Sequence, residues 1–222
     1  MSIRPHDDPA PQADIEPLLD HLVYATPDLA ATLTDFHKRT GVEPTAGGRH
    51  LGLGTRNYLV VLGSSSYLEI IGPDVDKPPD PGREMPFGIT DLTAGRLVTW
   101  AIHPADIEMT AAASAQAGAD QGPIVSMQRA RPDGILLSWR LTTPTPMPMG
   151  GVVPFLIDWG SSPHPAADDV PSAGLISLRG CNPDPDAAGQ VMSALHVRLP
   201  LTAQAPKLAV VLETPHGLVE LS

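Results

Sequence analysis

Short apolar stretches alternate along the chain with segments rich in proline and glycine, and the first stretch sets the pattern. Residues 19–25, LDHLVYA, predict a β-strand. Thr26 suits the N-cap of a following helix, Pro27 suits its first position, and Gly41 suits its end. Apolar residues form one stripe on that helix: Leu29, Leu33 and Phe36. Three more strands are predicted, around GGRHLGL, NYLVVLG and SYLEIIG.

The same order of elements recurs twice further along the chain. Residues 96–118 predict a strand and an alanine-rich helix, and later strands are predicted in PIVSMQRARPDG, ILLSWRLT and VPFLIDWG. Residues 174–196 repeat the strand and helix, followed by VRLPLTA, KLAVVLET and GLVELS. A unit that returns at a spacing of about 75 to 80 residues indicates a repeated architecture. The pattern therefore predicts an α+β fold of repeated βαβββ modules.

Alternation within the predicted strands sorts two polar side chains from their apolar neighbours. In the first strand His21 and Val23 share one face, and in SYLEIIG Glu69 lies on the face opposite Leu68 and Ile70. Because Leu68 and Ile70 suit contact with the helix stripe, we expect His21 and Glu69 on the other side of the sheet. Histidine nitrogen and carboxylate oxygen are ordinary ligands of a divalent metal. A polar pair without metal is the alternative.

Residues 47–57, GGRHLGLGTRN, combine four glycines with a histidine. We expect GGRH to begin the second strand, with the glycines letting the backbone bend beside His50. If His50 lies near His21 and Glu69, two histidines and one carboxylate form a facial set that leaves positions open for substrate. Alternatively, the His50 ring hydrogen-bonds the glycine-rich loop without metal. Thr55 is assigned to turn structure, and Asn57 offers an amide to the turn or to a ligand.

Arginines near these motifs are candidates for binding an anionic ligand, since the guanidinium fork suits carboxylate or phosphate. Arg49 lies in the glycine-rich stretch, and Arg129 and Arg131 lie in QRARPDG. Pairing with the excess of acidic residues at the surface is the alternative. Trp139, on the strand after QRARPDG, is either a wall of a binding site or a core residue.

Composition and charge narrow the range of partners and locations. A net charge of −11 argues against nucleic acid or an anionic membrane as the main partner, but it leaves room for a small anionic ligand. No apolar run reaches the ~20 residues of a membrane span, and the N-terminus lacks the apolar segment of a signal peptide. The single cysteine, Cys181, suits a reducing compartment. We therefore expect a soluble cytoplasmic protein; a homodimer is compatible with the sequence.

These motifs resemble a known group of proteins. LDHLVYATPDLA, GGRHLGLGTRN followed by YLEI, and QRARPDG with PFLIDW resemble the glyoxalase-like domain group of the vicinal oxygen chelate superfamily. The likeness covers residues 18–160 and implies two βαβββ modules in curled sheets around a cup. Residues 174–222 then form an additional βαβββ-like module, and residues 1–17 form an N-terminal tail.

The resemblance also implies a metal, because family ligands come from the first and last strands of a module. His21 and Glu69 match two of those positions, with His50 as a third candidate, for Zn, Fe, Mn, Ni or Mg; the metal is absent from some members. The second module departs from the pattern. Trp100 or its neighbours occupy the place of the third ligand, and Asp158 is a possible substitute at the fourth. His103 and, in the third module, Glu220 are further candidates, with a surface position as the alternative for Glu220.

The function that the resemblance implies is a metal-dependent lyase, isomerase or dioxygenase acting on a small oxygen-rich or anionic molecule. Glu69 and His50 are the candidate catalytic residues. The candidate substrate-binding residues are Arg49, Asn57, Arg129, Arg131 and Trp139. The alternatives are a metal-free protein of the same fold that binds a small molecule, and a structural or regulatory paralogue that uses the additional module for assembly.

Overall fold

A single closed barrel of eight strands surrounds the interior in the computed structural model, which describes residues 18–167 and 170–222. The predicted tail, residues 1–17, lies outside the described residues. The strands follow the order β1-β4-β3-β2-β6-β7-β8-β5, and β5 pairs with β1 to close the barrel. Their bounds are β1 Leu19–Ala25, β2 Thr45–His50, β3 Thr55–Val61, β4 Tyr67–Pro73, β5 Arg96–Ile102, β6 Ile124–Ala130, β7 Leu136–Thr142 and β8 Phe155–Asp158.

The barrel consists of two halves with the same connectivity, and each half carries one helix on the outside. Helix α1 spans Leu29–Thr40 and follows β1, while α2 spans Ile107–Gln116 and follows β5. In each half the first strand pairs in parallel with the last, β1 with β4 and β5 with β8. The described residues thus contain the strand, helix and three-strand order that the sequence predicts for both modules.

The first helix begins two residues later than expected. Asp28, rather than Thr26, is the N-cap, and its side chain accepts a hydrogen bond from the backbone N–H of Ala31. The Thr26 hydroxyl instead accepts from the backbone N–H of Asp28, which orders the turn before the helix. The helix ends as predicted at Gly41, whose φ of 73° is a left-handed conformation that glycine adopts at little cost.

Apolar residues form one cluster outside the barrel and another inside it. The outer cluster joins the helix residues Leu29 and Phe36 to Leu22, Leu68 and Ile70, as alternation along the strands predicts. The inner cluster lines the barrel and includes Val23, Tyr67, Ile71, Trp139 and Phe155. The face opposite α1 is therefore the interior of the barrel, where the candidate site lies.

Residues 174–222 form a second sheet that packs against the barrel. The sheet has the order β10-β9-β11-β12, with β9 Gly174–Asn182, β10 Leu201–Ala203, β11 Lys207–Thr214 and β12 Gly217–Leu221. Helix α3, Pro185–Ala194, follows β9. Leu178 and Val210 of this sheet belong to the same buried cluster as Trp100 and Val152 of the barrel. The end of the glyoxalase-like domain at residue 160 and the start of the additional module at residue 174 remain predictions.

The glycine-rich stretch differs from its prediction in two respects. GGRH ends β2 instead of beginning it, and the turn follows at residues 51–54. Thr55 lies in β3 and is buried, so it is not a turn residue. Among the described residues, no helix has the length and apolar character needed to cross a membrane.

Candidate active site

Three side chains from three strands meet inside the barrel. His21 of β1 and Glu69 of β4 lie on neighbouring strands, and the Nε2 atom of His21 is 3.9 Å from Oε2 of Glu69. His50, at the end of β2, approaches the other carboxylate oxygen, with its Nε2 atom 3.7 Å from Oε1. All three side chains are buried. A carboxylate flanked by two imidazoles can accept, hold and pass a proton.

A buried amide and a buried guanidinium extend the site from Glu69 towards β6. The Asn57 side chain donates from Nδ2 to Oε1 of Glu69 at 2.5 Å, and Arg129 donates from Nη1 to Oδ1 of Asn57 at 2.9 Å. A side chain at Gly47 would collide with both Asn57 and Arg129, so glycine there leaves space for this hydrogen bond. The chain of contacts fixes the orientation of the Glu69 carboxylate and brings a positive charge close to it.

Asp20 lies behind His21 and was missed by reasoning from the sequence. Its Oδ1 is 2.6 Å from Nδ1 of His21, and its Oδ2 accepts from Nε1 of Trp159 at 2.9 Å and lies 3.1 Å from Nε2 of His164. Strand alternation assigns neighbours to opposite faces, but the register of β1 against β5 shifts between Leu19 and His21. Such an irregularity explains how adjacent side chains come into contact.

These contacts also decide the charge of Asp20 and the orientation of His21. Burial works against an ionised Asp20, but hydrogen bonds from His164 and His21 outweigh it and hold the pKa of Asp20 well below its ordinary value. A carboxylate accepts the proton on Nδ1, which leaves Nε2 of His21 facing Glu69. The Tyr67 ring stacks on His21 with the centroids 4.8 Å apart. Asp20 and Tyr67 together hold the imidazole in place.

His50 has a different environment from His21. Its Nδ1 atom is 3.0 Å from the hydroxyl of Thr55, and the side chain is buried. Burial lowers the pKa of His50 to about 4, although the negative charge of Glu69 works in the opposite direction. At neutral pH His50 is therefore an uncharged imidazole, with one nitrogen that donates a hydrogen bond and one that accepts.

Two chambers of the barrel interior meet at Glu69. The inner chamber has a volume of about 50 Å³ and is lined by the polar residues His21, Asn57 and Arg129, together with aromatic side chains. The outer chamber is larger, about 330 Å³, and also borders His50. Because Glu69 lines both chambers, a molecule that reaches its carboxylate from the outer chamber can place a small group in the inner one.

Trp139 lines the inner chamber, and the paired or unpaired state of its indole nitrogen bears on ligand binding. Its Nε1 is buried and has no hydrogen-bond partner among the described residues. Leaving a buried donor without a partner costs about 1–3 kcal/mol, so native proteins generally satisfy such groups. The neighbouring Trp159, whose ring centroid is 5.2 Å away, does have a partner in Asp20. The Trp139 N–H is thus suited to an acceptor on a ligand.

Other residues predicted from the sequence lie elsewhere. Arg49 points away from the chambers and makes ion pairs with Asp74 at 2.8 Å and Asp76 at 2.7 Å. Arg131 is 3.2 Å from Asp133 near the turn between β6 and β7, and it lines neither chamber. Both arginines thus pair with acidic residues, the alternative that the sequence left open, and neither lines a chamber.

Two carboxylates considered from the sequence are also outside the barrel interior. Asp158, the substitute for a fourth ligand, accepts hydrogen bonds from Arg140 at the outer surface. Glu220 of β12 is 2.7 Å from Arg179 on the second sheet. His103 is half-exposed, with Nδ1 4.0 Å from Asp20 and no contact with Glu69.

The donor atoms near Glu69 have the chemistry of metal ligands, but their arrangement does not fit a metal. Among residues 18–167 and 170–222, no three His, Cys, Asp or Glu side chains are placed so that they could hold a metal ion. The Nε2 atoms of His21 and His50 approach different oxygens of Glu69, and Asn57 already donates to one of those oxygens. Binding a metal here would require these side chains to rearrange.

Comparisons with known proteins agree with the barrel architecture. The profile of a family described as glyoxalase-like domain matches residues 19–196. A solved structure of a hypothetical protein from Staphylococcus aureus is 14% identical, covers 91% of this chain and 84% of its own, and superposes with a TM-score of 0.57. At this level of identity the likeness establishes a shared fold.

More distant structural similarity extends to methylmalonyl-CoA epimerases. A variant of the Streptomyces coelicolor enzyme, in complex with 2-nitronate-propionyl-CoA, is 19% identical, with coverage of 66% of this chain and 97% of its own and a TM-score of 0.43. The Mycobacterium tuberculosis enzyme is 18% identical, with coverage of 70% and 95% and a TM-score of 0.41. No curated protein matches the chain significantly in sequence. Since the family profile spans most of the sequence, the chain belongs to the glyoxalase-like domain family of the vicinal oxygen chelate superfamily.

Proposed function

We propose that the protein is an enzyme that moves a proton on a small oxygen-bearing molecule, with Glu69 as the general base. The observation that carries this function is the position of the Glu69 carboxylate, buried where the two chambers meet and 3.9 and 3.7 Å from the imidazoles of His21 and His50. A carboxylate in such a place can remove a proton from a carbon next to a carbonyl group. Lyase and isomerase reactions of the superfamily type share this step.

The surrounding residues have complementary roles in this reaction. The C–H bond of the substrate breaks, its proton moves to Glu69, and the electron pair forms an enolate on the carbonyl oxygen. If the Thr55 hydroxyl donates to Nδ1 of His50, Nε2 carries the proton and can donate to that oxygen. Return of a proton to the opposite face of that carbon, or to another carbon, gives an isomer. In a lyase reaction the enolate electron pair forms a C=C bond and a leaving group departs from the β-carbon with its bonding electrons.

Substrate binding involves the remaining polar groups of the inner chamber. Arg129 offers positive charge, and the unpartnered N–H of Trp139 offers a donor for a substrate oxygen. Asn57 and Arg129 also orient Glu69. Arg49 and Arg131, which pair with aspartates outside the chambers, have no part in this proposal.

Deuterium exchange tests the proposed reaction even where the product has not been identified. Small ketones, 2-hydroxy acids and 2-oxo acids would be incubated with the protein in deuterium oxide, and loss of the α-proton signal would be followed by NMR. We expect exchange that Glu69→Gln removes, while the matched control Asp158→Asn retains it. Exchange that persists in Glu69→Gln would contradict a role for this carboxylate as the base.

A divalent metal, implied by the resemblance, is a separate prediction, and the step above uses none. Elemental analysis of protein purified without chelator would measure it. If a metal binds, His21→Ala should abolish its binding, Glu69→Gln should weaken it sharply, and His103→Ala should have little effect. A cytoplasmic location and a homodimer likewise remain predictions from the sequence.

A metal-free protein that binds a small molecule without converting it is the second candidate function. The aromatic wall and the unpartnered donor of Trp139 favour it, since both suit binding as well as catalysis. A tight ligand raises the melting temperature by mass action in either case. Ligands that raise it and show no deuterium exchange would identify a binding protein.

A further inference from the structure

The outer chamber has a composition that the proposed proton transfer does not explain. Its volume of about 330 Å³ is several times that of the inner chamber. The lining is mainly apolar and includes Leu53, Ile71, Phe87, Val125, Met127 and Phe155. Besides His50, the lining contains one acidic and one basic side chain: Glu69 at the inner end and Arg83, which is solvent-exposed. A molecule that fills the chamber is therefore apolar and uncharged along most of its length.

Strand β6 supplies both the polar end and the apolar wall. Val125 and Met127 line the outer chamber, and Arg129, next on the same face, lines the inner one. The change from apolar to charged thus follows one strand from the wide chamber to the narrow one. Such a gradient suits a molecule whose apolar body precedes an oxygen-bearing head.

Phe87 lies where the chambers join and has an unusual backbone. Its φ is 60°, and the next residue, Gly88, has a φ of 63°. A bulky residue in this left-handed region is strained, and such strain occurs mainly at functional sites and ligand clamps. The conformation brings the ring 6.2 Å from that of Phe155, centroid to centroid, so two aromatic rings flank the passage between the chambers.

We propose that the substrate is amphiphilic, with an oxygen-bearing head at Glu69 and a neutral apolar body in the outer chamber. At ~30 Å³ for each water-sized group, the chamber holds a body of about ten such groups. The assignment of the head as the reacting end rests on the proposed function. The assignment of the body depends only on the size and lining of the outer chamber.

Two ligand series test the body independently of the head. Straight-chain carboxylates and 2-alkanones of three to twelve carbons would be titrated into the full chain by isothermal calorimetry. We expect affinity to rise about fourfold for each added methylene, as burial of a CH₂ group predicts, and to level off once the chamber is full. Affinity independent of chain length, or no binding in either series, would overturn the inference.

Filling the chamber provides the structural control. Val125→Trp should abolish the increase in affinity with chain length and leave the affinity of the shortest ligands unchanged. If Val125→Trp fails to fold, Met127→Trp serves the same purpose. Val75→Trp, at a side chain 91% exposed and outside the chamber lining, should bind every ligand as the unmodified protein does. Long-chain binding that survives Val125→Trp would place the body elsewhere and overturn the inference.

Failure here and failure of the proposed function give different results. Glu69-dependent exchange of short ligands, without any effect of chain length, would retain the enzyme and reject the amphiphilic substrate. Affinity that grows with chain length and disappears in Val125→Trp, without exchange, would retain the apolar body and reject the reaction.

Discussion

The two halves of the barrel share one topology but contribute different chemistry. In the first half, β1 and β4 place His21 and Glu69 in the interior, and β2 and β3 add His50 and Asn57. In the second half, β5 and β8 are paired in the same parallel way, but their interior positions hold apolar side chains. These are Val98, Ala101, Phe155 and Ile157.

Under the proposed function, the first half supplies the reacting groups and the second half supplies most of the chamber wall. Among the described residues, the second half contributes one ionisable side chain to the chambers, that of Arg129. Its other side chains in the chambers form the wall. The carboxylate on its last strand, Asp158, points outward to Arg140. A duplicated scaffold can thus keep its curvature with a single set of reactive groups, because pairing of the strands does not depend on interior polar residues.

The largest expected effect comes from removing the second sheet, residues 174–222, which packs against the second half of the barrel. We expect a chain ending at Ala173 to lose the native fold, because Leu178, Val210 and Leu212 belong to the buried cluster around Trp100. Each such side chain contributes about 1.5–3 kcal/mol by burial. Several together match the roughly 5–15 kcal/mol by which a whole domain is stable. Circular dichroism and thermal melting would measure the loss.

Point substitutions on the same sheet control for nonspecific damage. Val210→Asp should destabilise the full chain strongly, since its side chain is fully buried, while Leu218→Asp, at an exposed position, should not. A shortened chain that stayed soluble, monomeric and equally stable would mean that the barrel folds independently of residues 174–222.

The next largest effect should distinguish Glu69, on the last strand of the first half, from Asp158, on the last strand of the second half. Glu69→Gln should reduce exchange by about 10²–10⁴-fold, the usual contribution of a general base. Glutamine has nearly the same size and shape as glutamate, and its amide oxygen can still accept the hydrogen bond from Asn57. The melting temperature should therefore change little. Rates of deuterium exchange, measured beside those of Asp158→Asn, would check this. Equal losses in both variants would refute the assignment of chemistry to the first half.

The parts of the fold that follow from local patterns were predictable from the sequence. Leu22 follows His21, and Leu68 and Ile70 flank Glu69; alternation along the strands assigned the three apolar residues to the face under α1, where they lie. The strand and helix order of residues 19–73 likewise follows from apolar periodicity and from Gly41.

Features that depend on irregular backbone or distant partners were not predictable in this way. Asp20 joins His21 because the register shifts in β1, and alternation cannot anticipate that shift. The ion pairs of Arg49 with Asp74 and Asp76 depend on how the loop after β4 folds back. The roles of His21, His50 and Glu69 remain predictions, since their proximity alone does not identify a reaction.

A smaller effect should distinguish the two tryptophans of the wall. Trp139→Phe removes a buried donor without a partner among the described residues, so stability should stay equal or rise, while ligand affinity should fall about threefold to tenfold. Trp159→Phe removes the N–H that Asp20 accepts and should destabilise the protein. Urea unfolding and calorimetric titration would measure both. Unchanged affinity in Trp139→Phe would show that its N–H does not contact the ligand.

The smallest effect should come from Asp158, the counterpart of Glu69 in the second half. Hydrogen bonds from Arg140 and the Gly160 N–H lower the pKa of Asp158. A lowered pKa means that this carboxylate stabilises the folded state above its ordinary value of 3.8 and that the contribution is lost as the pH falls further. Since the pair lies at the surface, Asp158→Asn should cost only about 0–1 kcal/mol at about pH 7. Urea unfolding should show that difference shrinking in acid; a constant difference would mean that the ion pair is not its source.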